Sequence, residues 1–243
     1  MKAIYPIYFT IGNMIYKKFY FLYKPLYFFY KRLSDGKKIK SLKEVVKPGM
    51  RVLDIGANIG FYTILLSELV GDRGLVYAFE PDENNFSHLK RNTVSLKNVA
   101  LNNVAVSDKS GKLKLYLSDD LNVDHNTYDS GENRKSVEVD ALALDDYFSH
   151  GETIDFVKID IQGFDFYALN GAKNLISRSG RMSILSEYWP YGLNKAGVKP
   201  RDYIDLLKEL NFAIDLSDDD IRRSEVQIDD NNFSLDIFAY RNQ

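Results

Sequence analysis

The sequence has no cysteine, and it has only three histidines and one tryptophan among 243 residues. The lack of cysteine excludes disulfides, zinc–thiolate sites and cysteine nucleophiles, and it suits a reducing, cytoplasmic environment. The first thirty residues also lack the leucine-rich core and the small-residue cleavage site of a secretory signal, and lysines interrupt any spanning helix there. We therefore expect a cytoplasmic protein whose length suits one domain with an appendage.

Charge is divided unevenly along the chain, although the formal net charge is only −2. Residues 1–50 hold 11 lysines and arginines against 2 acids, a net charge of +9, while the other 193 residues hold 21 against 32, a net charge of −11. Because the larger part is acidic, nucleic acid is disfavoured as a partner.

The N-terminal region is also unusually aromatic, with 12 of the 33 aromatic residues in its first thirty positions. We assign residues 1–40 to an N-terminal helical arm and residues 41–243 to the main domain. Large apolar and aromatic side chains run consecutively from Phe19 to Tyr23, so a lone helix would leave several rings exposed. Three roles stay open: a cap over the substrate cleft, a homodimer contact, or peripheral attachment to the anionic inner face of a membrane.

From Lys47 onward, short apolar runs alternate with amphipathic stretches of helix length, which is typical of a parallel sheet covered on both faces. The predicted strands are Arg51–Ile55, Leu75–Phe79, Val99–Val106, Ile154–Ile159, Met182–Glu187, Phe212–Leu216 and Leu235–Tyr240. The predicted helices are Phe61–Val70, Asp82–Leu96, Phe164–Ser177 and Pro200–Leu210. Two further β-type runs, Lys112–Leu117 and Ser136–Val139, flank a polar loop, and Asp218–Asp220 and Asp229–Asn232 are interpreted as solvated turns.

The first predicted strand runs into the pattern D-x-G-x-x-x-G, formed by Asp54, Gly56 and Gly60. Glycine there provides backbone angles barred to other residues and lets a ligand approach the main chain, while Gly60 allows close helix packing. A nicotinamide-binding turn would instead read G-x-G-x-x-G. A carboxylate beside the turn suits a ligand that carries positive charge, such as S-adenosylmethionine, and Glu80 at the end of the second strand can accept hydrogen bonds from ribose hydroxyls.

Four segments in order resemble the FkbM family of class I S-adenosylmethionine-dependent methyltransferases. They read DIGANIGFYT (54–63), FEPDENNFSHLKRN (79–92), NNVAVSDKSG (102–111) and DFVKIDIQGFDFYALNGA (155–172). The last is the most specific, although Asp165 stands where the family more often has glutamate. The resemblance covers about residues 45–190.

That resemblance implies a Rossmann-like α/β fold with a seven-stranded sheet, parallel except for its last strand, and S-adenosylmethionine bound across the first three strands. It implies that the methionine end of the cofactor lies against Asp54, Gly56, Asn58 and Gly60, and that Glu80 holds the ribose. By the same resemblance, the adenine is bordered by Asn103, Val106 and one of Ser107 or Asp108. Family members mostly methylate oxygen, often on sugars or glycosylated metabolites.

The acceptor is expected at the carboxyl ends of the fourth and fifth strands, where Lys158, Asp160 and Glu187 lie. A sugar hydroxyl is a poor nucleophile near neutral pH, so a base or a divalent cation such as Mg²⁺ should be close. Asp160 or Glu187 could act as the base, the two could hold the metal, or the cluster with Lys158 could be structural, and these alternatives stay open.

Histidines and aromatic residues near the predicted cleft add further candidates. His125 belongs to the polar loop and could deliver a base or bind the acceptor, whereas His88 and His150 are interpreted as surface residues. Trp189 and Tyr191 could form a platform for a sugar ring or could simply pack.

The sequence thus predicts an S-adenosylmethionine-dependent O-methyltransferase acting on a sugar hydroxyl of a glycan or glycosylated metabolite. The alternatives are a catalytically silent S-adenosylmethionine-binding module and a methyltransferase for a non-sugar small molecule.

Overall fold

The structure, a computed structural model, describes residues 12, 15, 16, 18–117, 127 and 134–241. His125, a predicted catalytic residue, lies outside these ranges. In chain order the strands are β1 (Arg51–Ile55), β2 (Leu75–Phe79), β3 (Val99–Asn102), β4 (Ala105–Ser107), β5 (Gly111–Tyr116), β6 (Ser136–Ala143), β7 (Phe156–Ile159), β8 (Ser183–Tyr188), β9 (Ala213–Ile214) and β10 (Leu235–Tyr240). The helices are α1 (Tyr20–Ser34), α2 (Gly36–Val45), α3 (Phe61–Val70), α4 (Glu83–Thr93), α5 (Leu144–Tyr147), α6 (Asp165–Asn170), α7 (Lys173–Arg178), α8 (Pro190–Lys195), α9 (Pro200–Glu209) and α10 (Asp218–Val226).

The main sheet has seven strands in the order β3-β2-β1-β7-β8-β10-β9. The neighbouring strands β3, β2, β1, β7 and β8 are parallel to one another, and β10 is antiparallel to both β8 and β9. The predicted seven-stranded, mostly parallel α/β fold is therefore confirmed. The strand order reverses between β1 and β7, so the carboxyl ends of β1, β2 and β7 form the edge where ligands bind in such sheets.

The predicted continuous strand Val99–Val106 is wrong. The chain leaves the main sheet after Asn102, and β4 joins a separate three-stranded sheet of order β4-β6-β5. The break falls at Asn103, whose side-chain amide donates to the carbonyl oxygens of Glu80 at 2.9 Å and Pro81 at 3.2 Å. Apolar residues lie on both sides of Asn102 and Asn103, which is why the pattern suggested one strand.

Two other predicted elements differ from the structure. The single helix Phe164–Ser177 is wrong, because α6 ends before Gly171 and α7 starts at Lys173; a Cβ at Gly171 would lie 2.2 Å from the Ser107 carbonyl oxygen. The acidic run 218–220 is not a solvated turn but the first turn of α10, which Ser217 and Asp220 close with a capping box. The predicted turn at 229–232 is confirmed and exposed.

The two N-terminal helices pack on one face of the sheet. Leu42 of α2 is fully buried in a cluster with residues of β1, α3 and β7, and Tyr27 and Phe28 of α1 pack against the same cluster. The Phe28 and Phe61 rings meet edge to face, with centroids 5.3 Å apart. None of the helices in the described part of the chain is both long and apolar enough to cross a membrane.

Candidate active site

The turn after β1 is shaped by glycine, as predicted, but partly for another reason. Gly56 has φ +78, and a Cβ there would lie 2.1 Å from the main-chain carbonyl oxygen of Asp160. The space that the missing side chain opens is therefore filled by the main chain that follows β7, which brings Asp160 against the turn. Gly60 has φ +94 at the start of α3, and a Cβ there would lie 2.8 Å from Leu89, so the predicted close helix packing is confirmed.

Glu80 lies at the end of β2 and is 5% exposed. One carboxylate oxygen accepts from the main-chain N–H of Asn58 at 2.8 Å and the other from that of Asp82 at 2.9 Å. Burial raises the pKa of Glu80 to about 7, against the opposing effect of these two donors. Each carboxylate oxygen has a second lone pair, so the group can still accept from two ribose hydroxyls.

Asp54 and Lys158 form a buried ion pair beneath the turn, being 0% and 4% exposed. Lys158 Nζ lies 3.3 Å from Asp54 Oδ1 and donates to the Gly56 carbonyl oxygen at 2.9 Å. Thr63 donates to the other Asp54 oxygen at 2.6 Å. Asp54 Oδ1 has the ion pair but no hydrogen bond, so it retains accepting capacity.

A cavity with about 570 Å³ of empty space, partly open to solvent, lies at the carboxyl ends of β1, β2 and β7. Glu80, Thr127, Asp160 and Gln162 contribute its polar lining. The hydroxyl of Thr127 is buried without a hydrogen-bond partner among the described residues. The remaining lining is mostly apolar: Ile55, Phe79, Val104, Val106, Leu115, Ile161 and Phe164.

This cavity fits a nucleoside cofactor. A mostly apolar space with a few polar groups is what a purine and a ribose require, and the Thr127 hydroxyl in its lining has no hydrogen-bond partner among the described residues. Val106 lines it as predicted, whereas the Asn103 side chain is occupied with the main chain after β2. Neither Ser107 nor Asp108 is among the lining residues, and the two side chains bond to each other at 3.1 Å.

Three acids gather beyond β7 and β8, next to this cavity. Ile159 pairs with Ser186, which places Asp160 and Glu187 side by side just beyond that pair. Burial alone would raise the pKa of Asp160, but the charges of Lys158 and two lysines of the N-terminal helices outweigh it and lower the pKa. Burial, and then the charge of Asp160, raise the pKa of Glu187 to about 7. Of the pair, Asp160 is therefore the stronger acid and Glu187 the weaker one.

Asp165 is the third acid, and sequence reasoning assigned no role to it. It is 2% exposed, and burial, followed by the charges of Asp160 and Glu187, raises its pKa to about 8. Its carboxyl accepts from the Gly163 N–H at 3.2 Å and from the Ser186 hydroxyl at 3.3 Å. The signal in the sequence that could have identified Asp165 was its position five residues after Asp160, across a glycine turn.

The N-terminal helices contribute charge to the same place. Lys38 of α2 forms a 2.6 Å ion pair with Asp236, which pairs in register with Glu187. Burial lowers the pKa of Lys38, but the charges of Asp236 and Asp160 outweigh it and raise the pKa. Sequence reasoning missed Lys38, because only the basic cluster as a whole pointed to this segment.

Other predicted candidates are placed less centrally. Trp189 and Tyr191 are half-buried, and the Trp189 ring NH donates to the Asn231 carbonyl oxygen at 3.1 Å. His150 is exposed, as predicted. His88 is half-buried at the surface, where its ring stacks on Tyr20 of α1 with centroids 3.4 Å apart. Across the described ranges, no three His, Cys, Asp or Glu side chains are grouped so that they could hold a metal ion, so the proposed cation at Asp160 and Glu187 has no support from a third ligand.

Comparison with known proteins agrees with this geometry. A family model described as the methyltransferase FkbM domain matches residues 54–214. The 2-O-methyltransferase NoeI of Sinorhizobium fredii is 28% identical over 195 residues, which cover 73% of this chain and 78% of that protein.

Two solved structures are also similar. A Streptococcus mutans protein described as a methyltransferase, in complex with S-adenosylhomocysteine, superimposes with a TM-score of 0.50 at 13% identity, over 85% of this chain and 97% of that one. An S-adenosylmethionine-dependent methyltransferase from Aquifex aeolicus gives a TM-score of 0.47 at 19% identity, over 87% of this chain and 93% of that one. The former likeness shows the fold. Since the family model matches more than half of the chain, the protein belongs to the FkbM family and is an S-adenosylmethionine-dependent methyltransferase.

Proposed function

We propose that the protein methylates oxygen, at a sugar hydroxyl of a glycan or glycosylated metabolite. Two findings support this. The S. fredii relative is named a 2-O-methyltransferase, and the acceptor side of the cleft holds a carboxylate whose pKa is close to neutral. An alcohol is a weak nucleophile at that pH, so a base of this strength is what its methylation needs.

The observation that carries the proposal is the position of Glu187 beside Asp160 at the ends of β8 and β7, where burial and the charge of Asp160 raise the pKa of Glu187. An acid with an ordinary pKa would hold the hydroxyl proton weakly, whereas one raised to about 7 accepts it and is still largely ionised at slightly alkaline pH. Asp160 raises that pKa by its own charge, and it keeps that charge because Lys158 lies 4.0 Å away and Lys38 also faces it. We assign Glu187 as the base and Asp160 as the group that sets its strength.

The other residues of the site would hold the cofactor and the acceptor. S-adenosylmethionine, when bound, supplies a methyl carbon already activated by its sulfonium. Glu80 would hold the ribose. Asp54 and the Gly56 turn would hold the methionine end, and Val106 would contact the adenine. Asp160 and Gln162 line the cavity at the side where the acceptor would enter. Trp189, two residues after Glu187, offers a half-buried ring as a surface for the C–H face of a sugar.

A transfer experiment tests the proposal. The protein is incubated with methyl-deuterated S-adenosylmethionine and separate pools of free glycans, glycosylated metabolites and non-sugar small molecules. Mass spectrometry with fragmentation should place the label on a sugar oxygen, and the Glu187→Gln protein should bind S-adenosylhomocysteine normally but leave the label untransferred. Label on nitrogen, carbon or a non-sugar acceptor would overturn the sugar assignment, and cofactor binding without transfer to any pool would favour a silent module.

A further inference from the structure

Helix α1 carries an apolar stripe that the protein leaves uncovered. Leu22, Leu26, Phe29 and Leu33 are between 48% and 68% exposed. Their spacing of four, three and four residues places them within about 60° of one face of the helix. Among the described residues, seven of the eleven exposed large apolar side chains fall in positions 19–33, and the other four are scattered singly.

This stripe is not the face by which α1 packs on its own domain. Tyr27 and Phe28 pack into the apolar cluster beneath α1, where Phe28 meets Phe61 of α3, and Lys31 lies over the Tyr62 ring of the same helix. Since the inner face already has its partners, the outer one is a second and independent apolar surface. Exposed apolar patches of this kind mark sites that bind another protein or a membrane.

The charges around the stripe decide between these partners. Arg32, Lys37, Lys40 and Lys43 are exposed on α1 and α2. The two helices and the residue between them hold two acids: Asp35, whose carboxylate is engaged by Lys31, Ser34 and Tyr62, and the exposed Glu44 near the end of α2, so cations outnumber acids on this surface. A second copy of this chain would bring two cationic surfaces together, whereas an anionic lipid surface complements them.

We propose that the outer face of α1 binds an anionic membrane surface peripherally. The apolar stripe enters the boundary between headgroups and acyl chains, and the basic residues of α1 and α2 meet lipid phosphates. In this proposal α1 lies in the plane of the interface, as an amphipathic helix with one apolar face does. The inner face of the same helix pair carries Lys38 to the acids beyond β8, so the bound protein would hold its acceptor side close to the lipid.

Vesicle flotation with matched variants tests this binding. Full-length protein is floated with vesicles of phosphatidylcholine alone and of phosphatidylcholine mixed with phosphatidylglycerol. We expect flotation with the mixed vesicles at about 0.01 M ionic strength and release at about 1 M, since the Debye length falls from about 30 Å to about 3 Å. Leu26→Ser/Phe29→Ser/Leu33→Ser should reduce partitioning at least ~10-fold through lost apolar burial.

A charge variant separates the two contributions. Because each basic residue near an anionic surface contributes roughly a fivefold factor, Arg32→Gln/Lys37→Gln/Lys40→Gln should reduce partitioning roughly 100-fold. The matched control is Val94→Ser/Val226→Ser, which removes two exposed apolar side chains from other helices or their ends and should float like the unmodified protein. S-adenosylhomocysteine binding and thermal unfolding of every variant verify the fold.

Three results would overturn the proposal. They are absence of flotation at low salt, equal binding to neutral and anionic vesicles, and wild-type flotation of the stripe variant. A dimer in sedimentation equilibrium that the stripe variant abolishes, without lipid binding, would assign the surface to a second copy of the chain instead. None of these results depends on which acceptor is methylated.

Discussion

The two halves of the cleft are built in different ways. The cofactor half uses short-range contacts: the turn after β1, the Glu80 carboxylate and the start of α3 lie within thirty residues and bond largely through main-chain groups. The acceptor half is assembled from distant segments, with Glu187 beside Asp160, Asp236 and Lys38. Local sequence therefore specifies the proposed cofactor side, while contacts between distant segments, through burial first and charge second, set the acid–base properties of the proposed acceptor side.

Lys158 joins the two halves, so its removal gives the largest expected effect. Its ammonium group lies 3.3 Å from Asp54 on the cofactor side and 4.0 Å from Asp160 on the acceptor side. Lys158→Met leaves the fully buried Asp54 carboxylate without its ion pair, which should lower the free energy of unfolding by ~3–5 kcal/mol. Urea denaturation measures this, with Lys43→Met, an exposed lysine, as the control.

The loss should be partly reversed in the double variant Asp54→Asn/Lys158→Met, because the buried charge is then absent as well. If Lys158→Met is as stable as Lys43→Met, the two halves are not joined by this ion pair.

Asp165 allows a second test of the acceptor half, through the pH dependence of stability. Its pKa is about 8 in the folded protein against 3.8 in the reference state, so it binds more protons when folded and stability falls as the pH rises from about 4 to about 8. Asp165→Asn keeps the shape of the side chain and removes this loss. The variant should gain stability relative to wild type by up to ~1.4 kcal/mol per pH unit in that window.

Chemical denaturation at a series of pH values measures this difference, in which contributions of the other acids largely cancel. A difference between the two proteins that does not change with pH contradicts the assigned pKa.

Much of the cofactor half could be predicted from sequence, and the reason is physical. The turn needs glycine at positions 56 and 60, where φ is positive. An acid at the end of a buried strand has few structural uses. Each of these residue types therefore indicates its role without knowledge of the fold. The break after β3 was not predictable, because it depends on an amide of Asn103 reaching the main chain after β2. The same limit applies to Lys38, whose role exists only once α2 lies across β8 and β10.

A smaller effect is expected at Glu80, where charge and cofactor binding are linked. An ionised carboxylate accepts hydrogen bonds from the ribose hydroxyls better than a protonated one. Because the pKa of Glu80 is about 7 in the free protein, affinity for S-adenosylhomocysteine should fall as the pH drops below about 7. Glu80→Gln should weaken binding by at least ~1 kcal/mol at pH 8, through lost charge-assisted hydrogen bonds, and should flatten the pH dependence. Calorimetric titration decides it, and unchanged affinity in a folded Glu80→Gln protein would remove Glu80 from the cofactor site.

The smallest expected effect tests whether the N-terminal helices influence the acceptor side of the cleft. Lys38 lowers the pKa of Glu187 through its charge, so Lys38→Met should shift the rising limb of the pH–rate profile to higher pH by up to about one unit. Lys40→Met, an exposed lysine on the same helix, should leave the limb in place. If both variants shift the limb equally, or neither does, the N-terminal helices do not tune the acceptor side.

Methyl transfer by Glu187→Gln in a single turnover tests the central claim, that Glu187 takes the acceptor proton beside the cofactor cavity. Wild type should accelerate as the pH rises through about 7, and the variant should be slower by ~10²–10⁴ and lack that limb, because proton transfer by a positioned base contributes about this factor. Its affinity for S-adenosylhomocysteine should be unchanged. Transfer at the wild-type rate by the folded variant across the same pH range would contradict the account.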